Sequence, residues 1–106
     1  MHWLAMAYEQ GDFELALTAA AGDDMALIAE LRASFLESLE AQITLLSRAR
    51  CDGNWDVAAH RLKGLGASFH AGELARLAQE AIDGAPGDPA VLRKLRELHL
   101  RFSAAD

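Results

Sequence analysis

Residues 58–72 read AAHRLKGLGASFHAG, a stretch whose apolar and polar positions separate cleanly only on a helix. At roughly 100° per residue, Ala58, Leu62, Leu65 and Phe69 gather on one side, and His60 projects almost opposite to them, toward water. Lys63 and Gly64 flank His60 on the outer face, and Ala67 and Ser68 continue it. A glycine inside a helix costs about 1 kcal/mol relative to alanine, and this helix carries two. Packing accounts for Gly66, at the edge of the buried stripe, but not for Gly64, which faces outward. The use of Gly64 is clearance: with no side chain one turn beyond the imidazole, a bulky group can approach it. Lys63 adds a positive charge within reach of any anion attached there. Taken singly, these are ordinary surface residues. Together, opposite an apolar stripe, they describe a phosphoryl acceptor.

Working outward, the same helical spacing recurs along the chain and nothing alternates as a half-buried strand does. The longest helix opens at Asp23 or Asp24, either of which can cap free N–H groups. Its stripe is Leu27, Leu31, Phe35, Leu39, Ile43 and Leu46, and it runs out near Cys51-Asp52-Gly53, with the glycine as the stop. Asn54 then caps the His60 helix. A third helix follows Gly72, with Leu74, Leu77, Ala78, Ala81 and Ile82 inward, and stops in Gly84-Ala85-Pro86-Gly87. Asp88-Pro89 opens the last as N-cap and first helical residue, and its stripe is Val91, Leu95, Leu98 and Phe102, with Leu92 and His99 at the edge. Four amphipathic helices with short loops predict an all-α fold, an antiparallel up-and-down four-helix bundle over residues 23–103. Residues 1–22 read as a short N-terminal helical cover. In it Phe13, Leu17 and Ala20 face the bundle, and Trp3, Leu4 and Tyr8 either extend the cover or make a dimer contact. The whole chain, 1–106, forms a single domain.

The signature around His60 resembles that of the histidine-containing phosphotransfer family, whose pattern is approximately A-H-x-L-K-G, then small residues, then a Leu on the next helix. Here it stands as Ala59-His60-Arg61-Leu62-Lys63-Gly64, then Gly66-Ala67-Ser68 and Leu74. Phe35 and the helical pattern over roughly residues 12–102 belong to the same resemblance. It implies a phosphorelay carrier that is phosphorylated on His60, with Lys63 stabilising the phosphate and Gly64 leaving room. Its implied partners are response-regulator receiver domains and a sensor histidine kinase, hybrid kinases included. Mg²⁺ would come with the receiver, and this chain would hold no cofactor. Val57, Arg61, Ala67 and Ser68 would dock the partner. Three features depart from the family pattern. His70 stands where a glycine is common, Leu65 follows the K-G pair in place of a small residue, and the stretch between Gly53 and His60 is about one turn short. They bear on the helix end and on the shape of the docking surface.

Composition narrows the other readings. The 106 residues carry 16 acidic against 10 basic side chains, a formal net charge of −6, which argues against nucleic acid and anionic membrane as partners. No apolar run approaches the roughly 20 residues of a membrane span. Ala19-Ala20-Ala21 looks like a leader cleavage site, but no Lys or Arg precedes it and Glu9, Asp12 and Glu14 interrupt the apolar stretch. Cys51 is the only cysteine, so a reducing, cytoplasmic setting is expected. No nucleotide-binding G-x-x-x-x-G-K-[ST] occurs, so the chain is read as a carrier rather than an enzyme that loads itself from ATP. His2, His60, His70, His99 and Cys51 lack the close spacing of zinc ligands, and no metal site is expected. Trp3 and Trp55 read as core or helix-end anchors. The alternative function is a helical adaptor that binds partners without phosphorylation.

Overall fold

A computed structural model describes residues 2–104, with side chains from Gly11 onward. The described residues fold into five helices and no strand: α1 (His2–Ala21), α2 (Met25–Arg48), α3 (Asp52–Ser68), α4 (Gly72–Asp83) and α5 (Pro89–Ala104). The all-α class expected from the spacing is therefore what forms. None of these helices is long and apolar enough to cross a membrane.

Helix starts follow capping chemistry. Asp24 caps α2, its Oδ1 accepting from Leu27 N at 3.1 Å. Asp88 does the same for α5, accepting from Ala90 N at 2.9 Å beside Pro89, whose missing N–H costs nothing there. The start of α3 corrects the sequence reading. Cys51, not Asn54, is the N-cap, and its Sγ accepts from Asn54 N at 3.5 Å. Gly53 does not stop α2, which has already ended at Arg48. A terminating glycine works through a left-handed backbone; Gly22 (φ 65°) and Gly87 (φ 84°) have it, whereas Gly53 lies in the first turn of α3.

A second correction concerns α1. It is no short cover but a helix of 20 residues, because nothing except Gly11 interrupts helical propensity from His2 to Ala21. Phe13 and Leu17 are buried in the main core as expected, while Ala20 is exposed. The expectations for the side chains of His2, Trp3, Leu4 and Tyr8 lie outside the described residues.

Packing is sequential. Phe13 meets Phe35 (4.7 Å between ring centroids) and Glu14 pairs with Arg32, joining α1 to α2. α2 lies against α3 and α5, and α4 against the same two helices. Glu73–Arg101 and Glu80–Lys94 tie α4 to α5 in antiparallel sense. All four phenylalanines of the chain converge: Phe35 stands 5.0 Å from Phe69 and 5.6 Å from Phe102, and Phe13 lies 5.0 Å from Phe102. Such tilted pairs contribute beyond their buried area. Leu27, placed in the α2 stripe by spacing, is exposed because it sits in the first turn, beyond the reach of the other helices.

The α3–α4 pair is the most intimate. Gly66 passes so close to α4 that a Cβ would stand 2.8 Å from Ala75 N and 3.1 Å from Ala71 O. At the other end of the pair the Trp55 indole donates to Ala81 O at 2.9 Å, occupying a carbonyl of the last turn of α4. Between them Ala58, Ala59, Leu62, Leu74 and Ala78 are buried. Ala59, fully buried, is a core position that the apolar spacing does not predict.

α3 closes on His70, whose φ of 55° is left-handed. Ala71 N donates to Gly66 O (2.8 Å) and His70 N to Ala67 O (3.3 Å), the double bond of a Schellman cap. The backbone at His70 is one that glycine adopts freely. Two substitutions test the account. Gly66→Ala should lower unfolding free energy by about 1–3 kcal/mol, the usual range for overpacking. His70→Gly should raise it, by up to about 1 kcal/mol, since the left-handed conformation costs an L-residue roughly 1–2. Urea midpoints read both; a neutral Gly66→Ala would contradict the close approach.

Candidate functional site

The buried face of α3 is Trp55, Ala58, Ala59, Leu62 and Gly66. That leaves Val57, His60, Arg61, Lys63, Gly64, Ala67 and Ser68 exposed, so every residue singled out from the sequence lies on one solvent-facing side of a single helix. The His60 side chain is 55% exposed. Leu65 and Phe69, expected in the core stripe, are only partly buried against it.

The imidazole is held by one edge. His60 Nδ1 lies 2.9 Å from the backbone O of Asp56, one turn back, and 3.4 Å from Asp56 Oδ1. Both neighbours can only accept when the carboxylate is ionised, so Nδ1 carries the hydrogen and donates it. In the neutral ring that leaves the lone pair on Nε2, the atom on the free edge. A helix has few carbonyls to spare for side chains, and this one also accepts in the α3 ladder; a carbonyl has two lone pairs and can do both.

No heavy atom outside the helix's own backbone lies within 4 Å of a Cβ built on Gly64. The fold itself therefore places no demand for glycine there, in contrast to Gly66. Lys63 reaches across to α4, where its Nζ donates to Gln79 Oε1 at 2.6 Å. Gln79 Nε2 in turn donates to Asp83 Oδ1 at 2.9 Å. Beyond Ala67 the surface opens into a shallow depression, bordered by Ala67 and His70 and, on α1, by Asp12, Leu15 and Ala16. Leu15 is 69% exposed there. Val57, 50% exposed, adds a second apolar side chain on the other side of His60.

The spacing singles out His60, Lys63 and Gly64, which the fold leaves exposed on α3, but not Asp56, Gln79, Asp83 or Leu15. Asp56 was accessible to it, standing four residues before His60 on the same helix. The other three depend on how α1 and α4 lie against α3. Among the described residues no group of three or more His, Cys, Asp or Glu is gathered as a metal ion requires. No protein-family model, curated protein or solved structure matches the chain.

Two measurements check the site as built. In ¹⁵N-resolved NMR of the neutral ring, His60 should be dominated by the tautomer with Nδ1 protonated and Nε2 bare; the opposite tautomer would contradict the Asp56 contact. Gly64→Ala should stabilise the fold by up to about 1 kcal/mol, the helix-propensity difference alone.

Proposed function

We propose that the chain is a histidine phosphotransfer protein, an antiparallel four-helix bundle whose α1 packs alongside. It would accept a phosphoryl group on His60 and pass it to a response-regulator receiver domain. The observation that carries the reading is the Nε2 edge of His60, turned to water by the Asp56 contact and standing beside a glycine that the fold does not need. The resemblance of Ala59-His60-Arg61-Leu62-Lys63-Gly64 to the family signature supports it.

Transfer from a receiver acyl phosphate uses the Nε2 lone pair. It forms a bond to phosphorus as the bond from phosphorus to the aspartate oxygen breaks, and the electron pair leaves with the carboxylate. The ring keeps its Nδ1 hydrogen and becomes a phosphorylated imidazolium. Its new positive charge lies against the carbonyl and carboxylate of Asp56, both oriented before the reaction starts. Lys63 supplies a charge-assisted hydrogen bond to the phosphoryl oxygens. Return of the group to a second receiver is the same step reversed. Phosphoryl transfer of this kind depends on in-line positioning more than on covalent help from the protein, and an exposed ring beside open space suits it.

In this reading Mg²⁺ arrives with the receiver, a sensor histidine kinase stands upstream, and the protein works in the cytoplasm. Val57, Arg61, Ala67 and Ser68 surround His60 as the docking surface. A carrier must let go, so the interface with each partner should bury less than about 1,200 Å² in total.

The test is direct. Mixed with phosphorylated receivers and Mg²⁺, the protein should take up label in an acid-labile, alkali-stable form, and His60→Gln should take up none. Gly64→Gln should keep its helical circular dichroism and transfer about tenfold more slowly or worse. Label that survives His60→Gln would overturn the assignment, and an unimpaired Gly64→Gln would overturn the clearance argument. An unlabelled wild type across a full set of receivers would favour the phosphorylation-independent adaptor.

A further inference from the structure

Lys63 is held by a partner that the phosphotransfer reading does not itself require. Its ammonium donates to Gln79 Oε1 at 2.6 Å, and Gln79 Nε2 donates to Asp83 Oδ1 at 2.9 Å. The orientation of that amide is dictated at both ends. An ammonium can only donate and a carboxylate can only accept, so the oxygen must face Lys63 and the nitrogen Asp83. Gln79 is half-buried on α4, which packs so closely on α3 at Gly66 that a Cβ there would stand 2.8 Å from Ala75 N. The acceptor for Lys63 thus sits on the most closely packed helix pair among the described residues.

We propose that Gln79 is the positioning residue for Lys63, with Asp83 setting the face of its amide. The inference rests on the phosphotransfer reading of His60. A lysine side chain has many rotamers, and one that must find a phosphoryl group from all of them loses conformational entropy in doing so. Gln79 confines the ammonium beforehand. A neutral amide oxygen does this without cancelling the charge, whereas a carboxylate at the same place would compete with the phosphoryl group for it. Asp83 makes the arrangement directional: without it the amide can turn and offer Lys63 its NH₂, which repels the ammonium.

The chain has only two lysines, Lys63 and Lys94, and the second pairs with Glu80, so it serves as an internal control. The first readout needs no phosphorylation. The two Hε protons of Lys63 should be inequivalent in NMR spectra of the wild type and become degenerate in Gln79→Ala, with Lys94 unchanged. The second uses phosphoramidate, a small phosphoryl donor, to load His60 without a partner protein. Gln79→Ala and Gln79→Glu should each load about three- to tenfold more slowly, and Gln79→Ala should add nothing further in a Lys63→Ala background. A merely structural glutamine would give additive losses. Unchanged Lys63 protons in Gln79→Ala overturn the proposal, as does loading at the wild-type rate or faster in either variant. If the wild type is loaded and the Gln79 variants match it, only the positioning role fails. If phosphoramidate and phosphorylated receivers alike leave wild-type His60 unlabelled, the phosphotransfer reading fails and the positioning role with it.

Discussion

Backbone meets backbone where Gly66 of α3 passes Ala71 and Ala75, and a single methyl group at residue 66 would have nowhere to go. This contact fixes the rotation of α3 about its own axis. With Gly66 against α4, the residues on the same face, Trp55, Ala58, Ala59 and Leu62, must also turn inward. His60, about half a turn round the helix from them, must then turn outward. The contact also sets the distance between α3 and α4, and so decides that Lys63 can reach Gln79. The packed face and the candidate site occupy opposite sides of one helix, and neither can be moved alone.

The C-terminal end of α3 serves the same purpose. The Schellman cap at His70 turns the chain sharply into α4 and leaves Phe69 among the other phenylalanines. A left-handed backbone at an L-residue is a local cost, retained because the surrounding core specifies the turn. The indole bond from Trp55 to Ala81 closes the opposite end of the hairpin. Held at both ends, α3 leaves Val57, Gly64, Ala67 and Ser68 exposed on its outer face.

Much of this was legible in the sequence because helical periodicity and local capping are short-range. The five segments, a cap at Asp23 or Asp24, the cap at Asp88-Pro89 and the outward direction of His60 each need only neighbours within a turn or two. Two errors were also local. Gly53 looked like a terminator, but a glycine says where a left-handed turn is permitted, not where one occurs. Cys51 was overlooked as a cap because a thiol is a weak acceptor. The length of α1 was underestimated for a different reason: a helix without a strong apolar stripe gives periodicity little to detect. The Lys63–Gln79–Asp83 chain is not legible in the sequence, since it joins residues on two helices and depends on the depth at which Gly66 lets them pack.

The two glycines of α3 show how the same residue can record opposite constraints. Gly66 is required by what touches it, whereas a Cβ at Gly64 would meet nothing within 4 Å, so packing does not account for it. On the phosphotransfer reading Gly64 leaves room for the approach of a phosphoryl donor to Nε2. The most direct test is to locate the bond itself. Two-dimensional ³¹P- and ¹⁵N-edited NMR of the phosphorylated protein should show phosphorus coupled to Nε2 of His60 with Nδ1 still bearing its hydrogen. Phosphorus on Nδ1, or on any other residue, would contradict the account.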